Sequence, residues 1–124
     1  LGHVVNPALV EGQVHGGVVQ GAGQVFGEHA IYDAATAQLL TGSFQDYFMP
    51  RAGWLRDIAV HDHPVPTPMN ALGAKGVGES GCSGSLPALV NATVDALRPL
   101  GITHLDMPFT PSKLWHAIRD ARAH

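Results

Sequence analysis

Apolar residues recur at helical spacing along residues 10–29, and this pattern predicts the first helix of the chain. Steps of three or four residues place side chains on one helix face. The members of this face are Val14, Val18, Gly21 and Val25. The same stretch is rich in glycine, and each interior glycine costs about 0.5–1 kcal/mol relative to alanine. Such a helix requires something close to its backbone, either a packed core element or a bulky ligand facing Gln20 or His15.

Two further helices are predicted nearer the C-terminus. Residues 85–97 carry an apolar face, with Ser85 as a suitable N-cap and Pro87 in the first turn. The apolar positions are Leu86, Leu89, Val90, Thr93, Val94 and Leu97. Pro99 and Gly101 end this helix. A last helix is expected to run from Pro111 to about residue 122, capped by Thr110.

Short β-prone segments separate these helices. Residues 30–33 and 39–44 predict two strands around a turn, and residues 57–61 and 102–105 predict two more. Residues 63–72 contain three prolines and predict an extended connection. Helices mixed with short strands give an α+β fold class.

Composition limits the classes of function. The chain has 124 residues, which suits one domain, and a formal net charge of −3 without a basic run. Nucleic-acid binding needs a surface that neutralises phosphates, so that class is excluded. No apolar stretch reaches the roughly 20 residues of a membrane span. The single Cys82 excludes an internal disulfide and indicates a cytoplasmic protein.

The low charge also predicts contact with other protein. Charged residues make up 14% of the chain, against the roughly 25% of an average protein. A surface with few charges is poorly solvated, so part of it is expected to be covered. The chain does not begin with Met. We therefore expect residues 1–124 to form a single fragment of a larger domain whose upstream part is missing.

The densest chemistry lies in the glycine-rich loop of residues 73–84. Residues 76–81 match G-x-G-x-x-G, but that dinucleotide signature needs a strand directly before it, and here the proline-rich connection precedes. Glu79 is a carboxylate within this loop. It suits proton transfer, where its surroundings tune its pKa, or it caps the following helix.

Two other groups are weaker candidates. Cys82 has no neighbours that mark a nucleophile, which favours an inert thiol. The triplet of residues 61–63, His-Asp-His, has no further ligands at metal-site spacing and favours a surface position.

Three segments, in order, resemble the molybdenum hydroxylases: xanthine dehydrogenase, aldehyde oxidase and aerobic carbon monoxide dehydrogenase. Residues 12–23, followed by Glu28, are similar to the family's glycine-rich helix, whose glutamine lies beside the molybdopterin cofactor; Gln20 matches it. Residues 75–79, Lys-Gly-Val-Gly-Glu, look like the loop that ends in the glutamate next to molybdenum. Residues 105–111 are similar to the segment before the family's final helix.

The resemblance implies an oxidoreductase that hydroxylates a small molecule with water as the oxygen source. Glu79 would be the general base, and Gln20, Gly76, Val77 and Gly78 would contact the cofactor. That cofactor would be molybdenum-molybdopterin, either as such or as the cytosine dinucleotide. The resemblance assigns no metal ligand to this chain.

The resemblance also implies a multi-subunit enzyme. The remaining part of the molybdopterin subunit would complete the site, and iron–sulfur and flavin subunits would carry the iron–sulfur clusters and FAD. The chain would then be inactive when isolated. Two alternatives stay open: an interaction fragment without catalysis, and a nucleotide-binding module that uses Gly76 to Gly81.

Overall fold

Three α-helices dominate the computed structural model, which describes residues 1–123. They are α1 (Pro7–Phe26), α2 (Ser80–Leu97) and α3 (Pro111–Arg122), and a 3₁₀ turn, Arg98–Leu100, follows α2. Within the described residues the only β-pairing is an isolated antiparallel bridge between Tyr32 and Leu39. The chain is mostly helical, so the helical half of the predicted α+β fold is confirmed and the strands are nearly absent.

The first helix lies three residues earlier than predicted at both ends. The side chain of Asn6 accepts a hydrogen bond from the N–H of Leu9, at 3.2 Å, and Pro7 occupies the first helical position. Asparagine is among the best N-caps, and proline at the first position loses no hydrogen bond. These local signals, and not the apolar repeat, set the start of α1.

The prediction for the start of the second helix is wrong. It begins at Ser80, five residues before Ser85, and Pro87 lies inside it and not in its first turn. Ser85 is buried, and its hydroxyl donates to the carbonyl of Cys82 at 3.2 Å. The early turns contain Gly81 and Gly84, which disfavour a helix locally, so packing against α1 must stabilise them.

The last helix agrees with the prediction. The hydroxyl of Thr110 accepts from the N–H of Lys113 at 3.3 Å, and Pro111 is the first helical residue. Both are favourable start signals because they satisfy or avoid unpaired N–H groups of the first turn.

The predicted strands are mostly wrong. Residues 30–44 form one bridge closed by a turn, in which the Asp33 carboxylate accepts from the backbone N–H of Ala35 and from the N–H and hydroxyl of Thr36. These bonds, chiefly the one from the Thr36 hydroxyl, lower the pKa of Asp33. Residues 57–61 and 102–105 lie without regular structure, because a strand needs a neighbour and they have none within residues 1–123.

The buried core lies at the C-terminal end of α1. Ala22, Val25 and Phe109 are fully buried, and the N–H of Phe109 donates to the carbonyl of Val25. Outside this core much apolar surface is open, with Phe44 and Met69 each more than four-fifths exposed. None of the helices among the described residues is long and apolar enough to cross a membrane.

Candidate functional site

Backbone contact between α1 and α2 positions the candidate site. A Cβ atom built on Gly17 would lie 2.8 Å from the backbone nitrogen of Cys82, and one on Gly81 would lie 2.6 Å from the carbonyl oxygen of Val14. One turn further, a Cβ on Gly21 would overlap the Ser85 hydroxyl. No side chain fits at these glycines, so they let the two helices touch.

These contacts also fix the direction and register of the helices. Gly17 faces Gly81, and four residues later Gly21 faces Ser85, so the two helices run in the same direction. Continuing this register places Gln20 level with Gly84. Glu79 lies five residues earlier on α2, which corresponds to ~7–8 Å along the helix axis at 1.5 Å per residue. Gln20 and Glu79 therefore lie on adjoining helices, with an offset of ~7–8 Å along the helix axes.

Glu79 holds the N-cap position of α2 without acting as a cap. Its backbone carbonyl accepts from the N–H of Ser83 at 3.0 Å, but its side chain makes no capping hydrogen bond. The residue is exposed, and its carboxylate has no hydrogen bond or ion pair with any residue in the range 1–123. Of the two interpretations from sequence, the capping role of the side chain is wrong.

Residues 76–79, here called the Glu79 loop, present backbone N–H groups that have no acceptor in the described chain. Among the described residues, no protein acceptor binds the N–H groups of Gly76, Val77 and Gly78. Gly76 and Gly78 are exposed, and a Cβ atom at either would meet nothing within 4 Å. Neither has the positive φ that would require glycine for conformational reasons. An acceptor from outside this chain could approach this stretch closely.

The glycines of α1 fall into two groups. Gly17, Gly21 and Gly23 are buried, whereas Gly12 and Gly16 are exposed with open space where a Cβ would lie. The sequence left open whether the glycines serve packing or a ligand. Packing explains the first group, and nothing within the described residues explains the second.

Gln20 lies on the exposed side of α1. Four-residue steps connect Gly12, Gly16 and Gln20, so the two open glycines form one stripe with it. The Gln20 side chain has no hydrogen-bond partner among residues 1–123. An uncharged amide beside open glycine backbone can donate to and accept from a bound polar group.

A cavity of about 400 Å³ adjoins the Glu79 loop. Val77 and Ser80, on either side of the Gly78–Glu79 pair, contribute to its wall together with Val14 of α1. The segment of residues 59–63 closes another side. The cavity therefore lies where the loop, α1 and this irregular segment meet.

His15 holds that irregular segment on α1, and its role was not foreseen from sequence. Its Nε2–H donates to the carbonyl oxygen of Ile58 at 2.9 Å, which fixes the ring tautomer because a carbonyl only accepts. A second long-range hydrogen bond joins Tyr47 to Glu28: the phenol donates to the carboxylate at 2.7 Å. The two partners are 43 residues apart in the first bond and 19 in the second, so no local sequence pattern predicts either contact.

The structure gives little support to a metal site at residues 61–63 or to a nucleotide site at residues 76–81. Residues 61–63 belong to the cavity wall, and no group of three or more His, Cys, Asp or Glu side chains in the described part of the chain is placed to hold a metal ion. Within residues 1–123 no strand precedes Gly76, and Gly81 is occupied in the helix contact. The nucleotide-binding interpretation thus lacks its structural context.

Comparison with known proteins gives consistent matches along the chain. Residues 1–55 match the family described as the molybdopterin cofactor-binding domain. The large chain of carbon monoxide dehydrogenase from Hydrogenophaga pseudoflava is 39% identical over 120 residues, covering 94% of this chain. The large subunit of nicotine 6-hydroxylase from Paenarthrobacter nicotinovorans is 41% identical over 118 residues, covering 95% of this chain.

A solved structure shares the same fold. Reconstituted carbon monoxide dehydrogenase from Oligotropha carboxidovorans superimposes with a TM-score of 0.89 at 35% identity, covering 99% of this chain and 15% of that one. The chain likewise spans 14% of the length of each of the two curated relatives. Its three helices and connecting segments thus correspond to a small part of a much longer polypeptide.

Proposed function

Because the chain belongs to the family of molybdopterin-binding subunits that includes carbon monoxide dehydrogenase and xanthine dehydrogenase, we propose that it presents Glu79 to a molybdenum-molybdopterin cofactor. The observation that carries this proposal is the unpaired carboxylate of Glu79. It follows three unpaired backbone N–H groups, and the space beside Gly76 and Gly78 is open.

The residues present fit such a cofactor. A pterin with its phosphate is rich in hydrogen-bond acceptors, and the N–H groups of Gly76, Val77 and Gly78 are donors without acceptors in the described chain. Gln20 adds an amide that both donates and accepts. The open stripe of Gly12 and Gly16 would let a large flat group lie close to the backbone of α1.

The bound cofactor would supply a molybdenum centre that takes up two electrons from the substrate. Glu79 would act as general base: its carboxylate would accept and hold the proton given up by the water-derived oxygen that attacks the substrate carbon. A base must lie within hydrogen-bond reach of the proton it removes, and an unpaired carboxylate needs to break no existing bond to do so. Gln20 and the loop would orient the cofactor relative to that carboxylate.

Oxidative hydroxylation of this kind needs further chains. The small-molecule substrate would enter a pocket completed by the rest of the molybdopterin subunit, because the open cavity beside Val77 is only partly walled by this chain. Electrons would leave through iron–sulfur clusters and FAD on partner subunits. A chain with one cysteine cannot ligate such a cluster alone.

Elemental analysis of the complex, purified from its native source with partner chains retained, tests this function. We expect about one molybdenum per copy of this chain, with the pterin released as molybdopterin or its cytosine dinucleotide. A complex that contains this chain and its partners but no molybdenum would leave an interaction fragment as the correct interpretation.

A further inference from the structure

A segment with an unpaired backbone runs along the cavity beside the Glu79 loop. Residues 58–67 run without a turn or a bend, and the exposure of side chains alternates over residues 58–61. Ile58 and Val60 are half-buried, whereas Ala59 and His61 are exposed. Alternation with a period of two is the pattern of a strand that packs one face on a protein body and turns the other outward.

The backbone of residues 58–63 has almost no partner. Within residues 1–123, no N–H from Leu55 through His63 donates to a protein acceptor, and the carbonyl of Ile58 is bound only by His15. Unpaired backbone groups are costly unless water or another chain satisfies them, and a row of them is a template for a second strand.

The bond from His15 indicates which edge is open. In a strand the N–H and C=O of one residue point to the same edge, and those of the next residue point to the opposite edge. The carbonyl of Ile58 points toward α1, so the polar groups of Val60 and Asp62 share that edge. The groups of Ala59 and His61 then point away from α1, to the edge that stays unpaired as far as Val65, whose N–H donates to the carbonyl of Leu1.

We propose that residues 58–63, the edge segment, form an edge strand that pairs through Ala59 and His61 with an extended segment of the same molybdopterin-binding subunit outside these 124 residues. This rests on the proposed function, which makes the chain part of such a subunit. The matching solved structures align with 96% and 99% of this chain over only 15% of one polypeptide, so in those proteins the remaining polypeptide is present beside the matching region. Backbone pairing provides affinity without charged side chains, which suits a chain poor in charge.

Amide hydrogen exchange of the assembled subunit, resolved to single residues, tests the pairing without a substitution. The amides of Ala59 and His61 are expected to exchange at least ~100-fold more slowly than those of Val60 and Asp62, since paired amides open only by local unfolding. Equal exchange at all four amides overturns the proposal. Protection that depends on protein concentration also overturns it, because the partner would then be a second copy.

A matched pair of proline variants tests the consequence for the stability of the subunit. His61→Pro removes an N–H at the open edge, and Asp62→Pro removes one at the edge facing α1. In chemical denaturation of the assembled subunit, we expect His61→Pro to raise the unfolding equilibrium constant roughly 10-fold, as for a lost hydrogen bond, and Asp62→Pro to change it little. Equal effects of both variants contradict strand pairing.

Molybdenum content separates this proposal from the proposed function. A subunit with full molybdenum and unprotected Ala59 and His61 amides refutes the strand pairing alone. Protected amides in a fully assembled enzyme without molybdenum refute the proposed function and leave the pairing in place.

Discussion

Gly17 of α1 and Gly81 of α2 touch through their backbones. A Cβ on Gly17 would lie 3.0 Å from the Cα of Gly81, and a Cβ on Gly81 would lie 3.2 Å from the Cα of Gly17. The neighbouring atoms are main chain, which cannot move aside by changing a rotamer. The relative position of the Glu79 loop and α1 therefore depends on the absence of side chains at this point.

Replacement of Gly17 by alanine should separate the helices. The gain in helix propensity is about 0.5–1 kcal/mol, but overpacking against backbone costs about 1–3 kcal/mol, so we expect net destabilisation. The matched control is Gly16→Ala, whose Cβ meets open space and which should keep or raise stability. Chemical denaturation of both variants measures the difference, and a Gly17→Ala variant as stable as Gly16→Ala would contradict the packing argument.

Glu79→Gln should abolish most activity of the complete enzyme while molybdenum stays bound. Loss of a positioned general base lowers the rate by about 10²–10⁴-fold, and the amide keeps the shape of the carboxylate. Turnover is measured with a dye acceptor on a panel of aldehydes, N-heterocycles and carbon monoxide, beside elemental analysis. The control is Glu11→Gln, which removes an exposed carboxylate on α1. Unchanged turnover in Glu79→Gln would remove this residue from the mechanism.

Gln20→Leu should weaken retention of the cofactor. One lost hydrogen bond corresponds to a roughly 2- to 10-fold weaker binding, so molybdenum should be lost faster on dialysis of the complex. Gln24→Leu is the control, because Gln24 is also an exposed glutamine of α1, one turn further on. If both variants keep molybdenum equally well, Gln20 is not a cofactor contact.

Tyr47 should ionise only at unusually high pH. Its hydrogen bond to Glu28 raises the pKa of the phenol above its ordinary value of 10.0, with burial and the charge of Glu28 adding to the effect. A raised folded-state pKa means that the neutral phenol stabilises the fold below pH 10, and that this contribution disappears as the pH rises through the raised value. Alkaline absorbance titration of Tyr47→Phe should lack the latest-ionising phenol, whereas Tyr32→Phe should retain it.

Local signals in the sequence account for much of the helical structure. Thr110 and Pro111 define the start of α3 because capping and the fixed φ of proline act within one turn. The same kind of signal at Asn6 and Pro7 sets the start of α1, although the apolar repeat points three residues further on. The early start of α2 was not predictable from propensity, because its glycines are stabilised by a helix 64 residues away.

The sequence indicated which residues belong to the candidate site but not how they are arranged. The resemblance named Glu79, Gln20 and the loop between Gly76 and Gly78, and their part in cofactor binding remains a prediction. No sequence pattern indicated that the Glu79 side chain would leave its helix uncapped. Nor could one indicate that His15 would hold the segment around Ile58, since long-range contacts depend on how the whole chain packs.

The paired small residues of α1 and α2 also make the alignment of the two helices stepwise. Contact repeats from Gly17 to Gly21 on one helix and from Gly81 to Ser85 on the other, a spacing of ~6 Å at 1.5 Å per residue. Sliding one helix by less than this distance would bring a side chain of one helix against the backbone of the other. We therefore expect mutations at distant positions to keep this register or to lose it by a whole turn, and not to change the separation of Gln20 and Glu79 gradually.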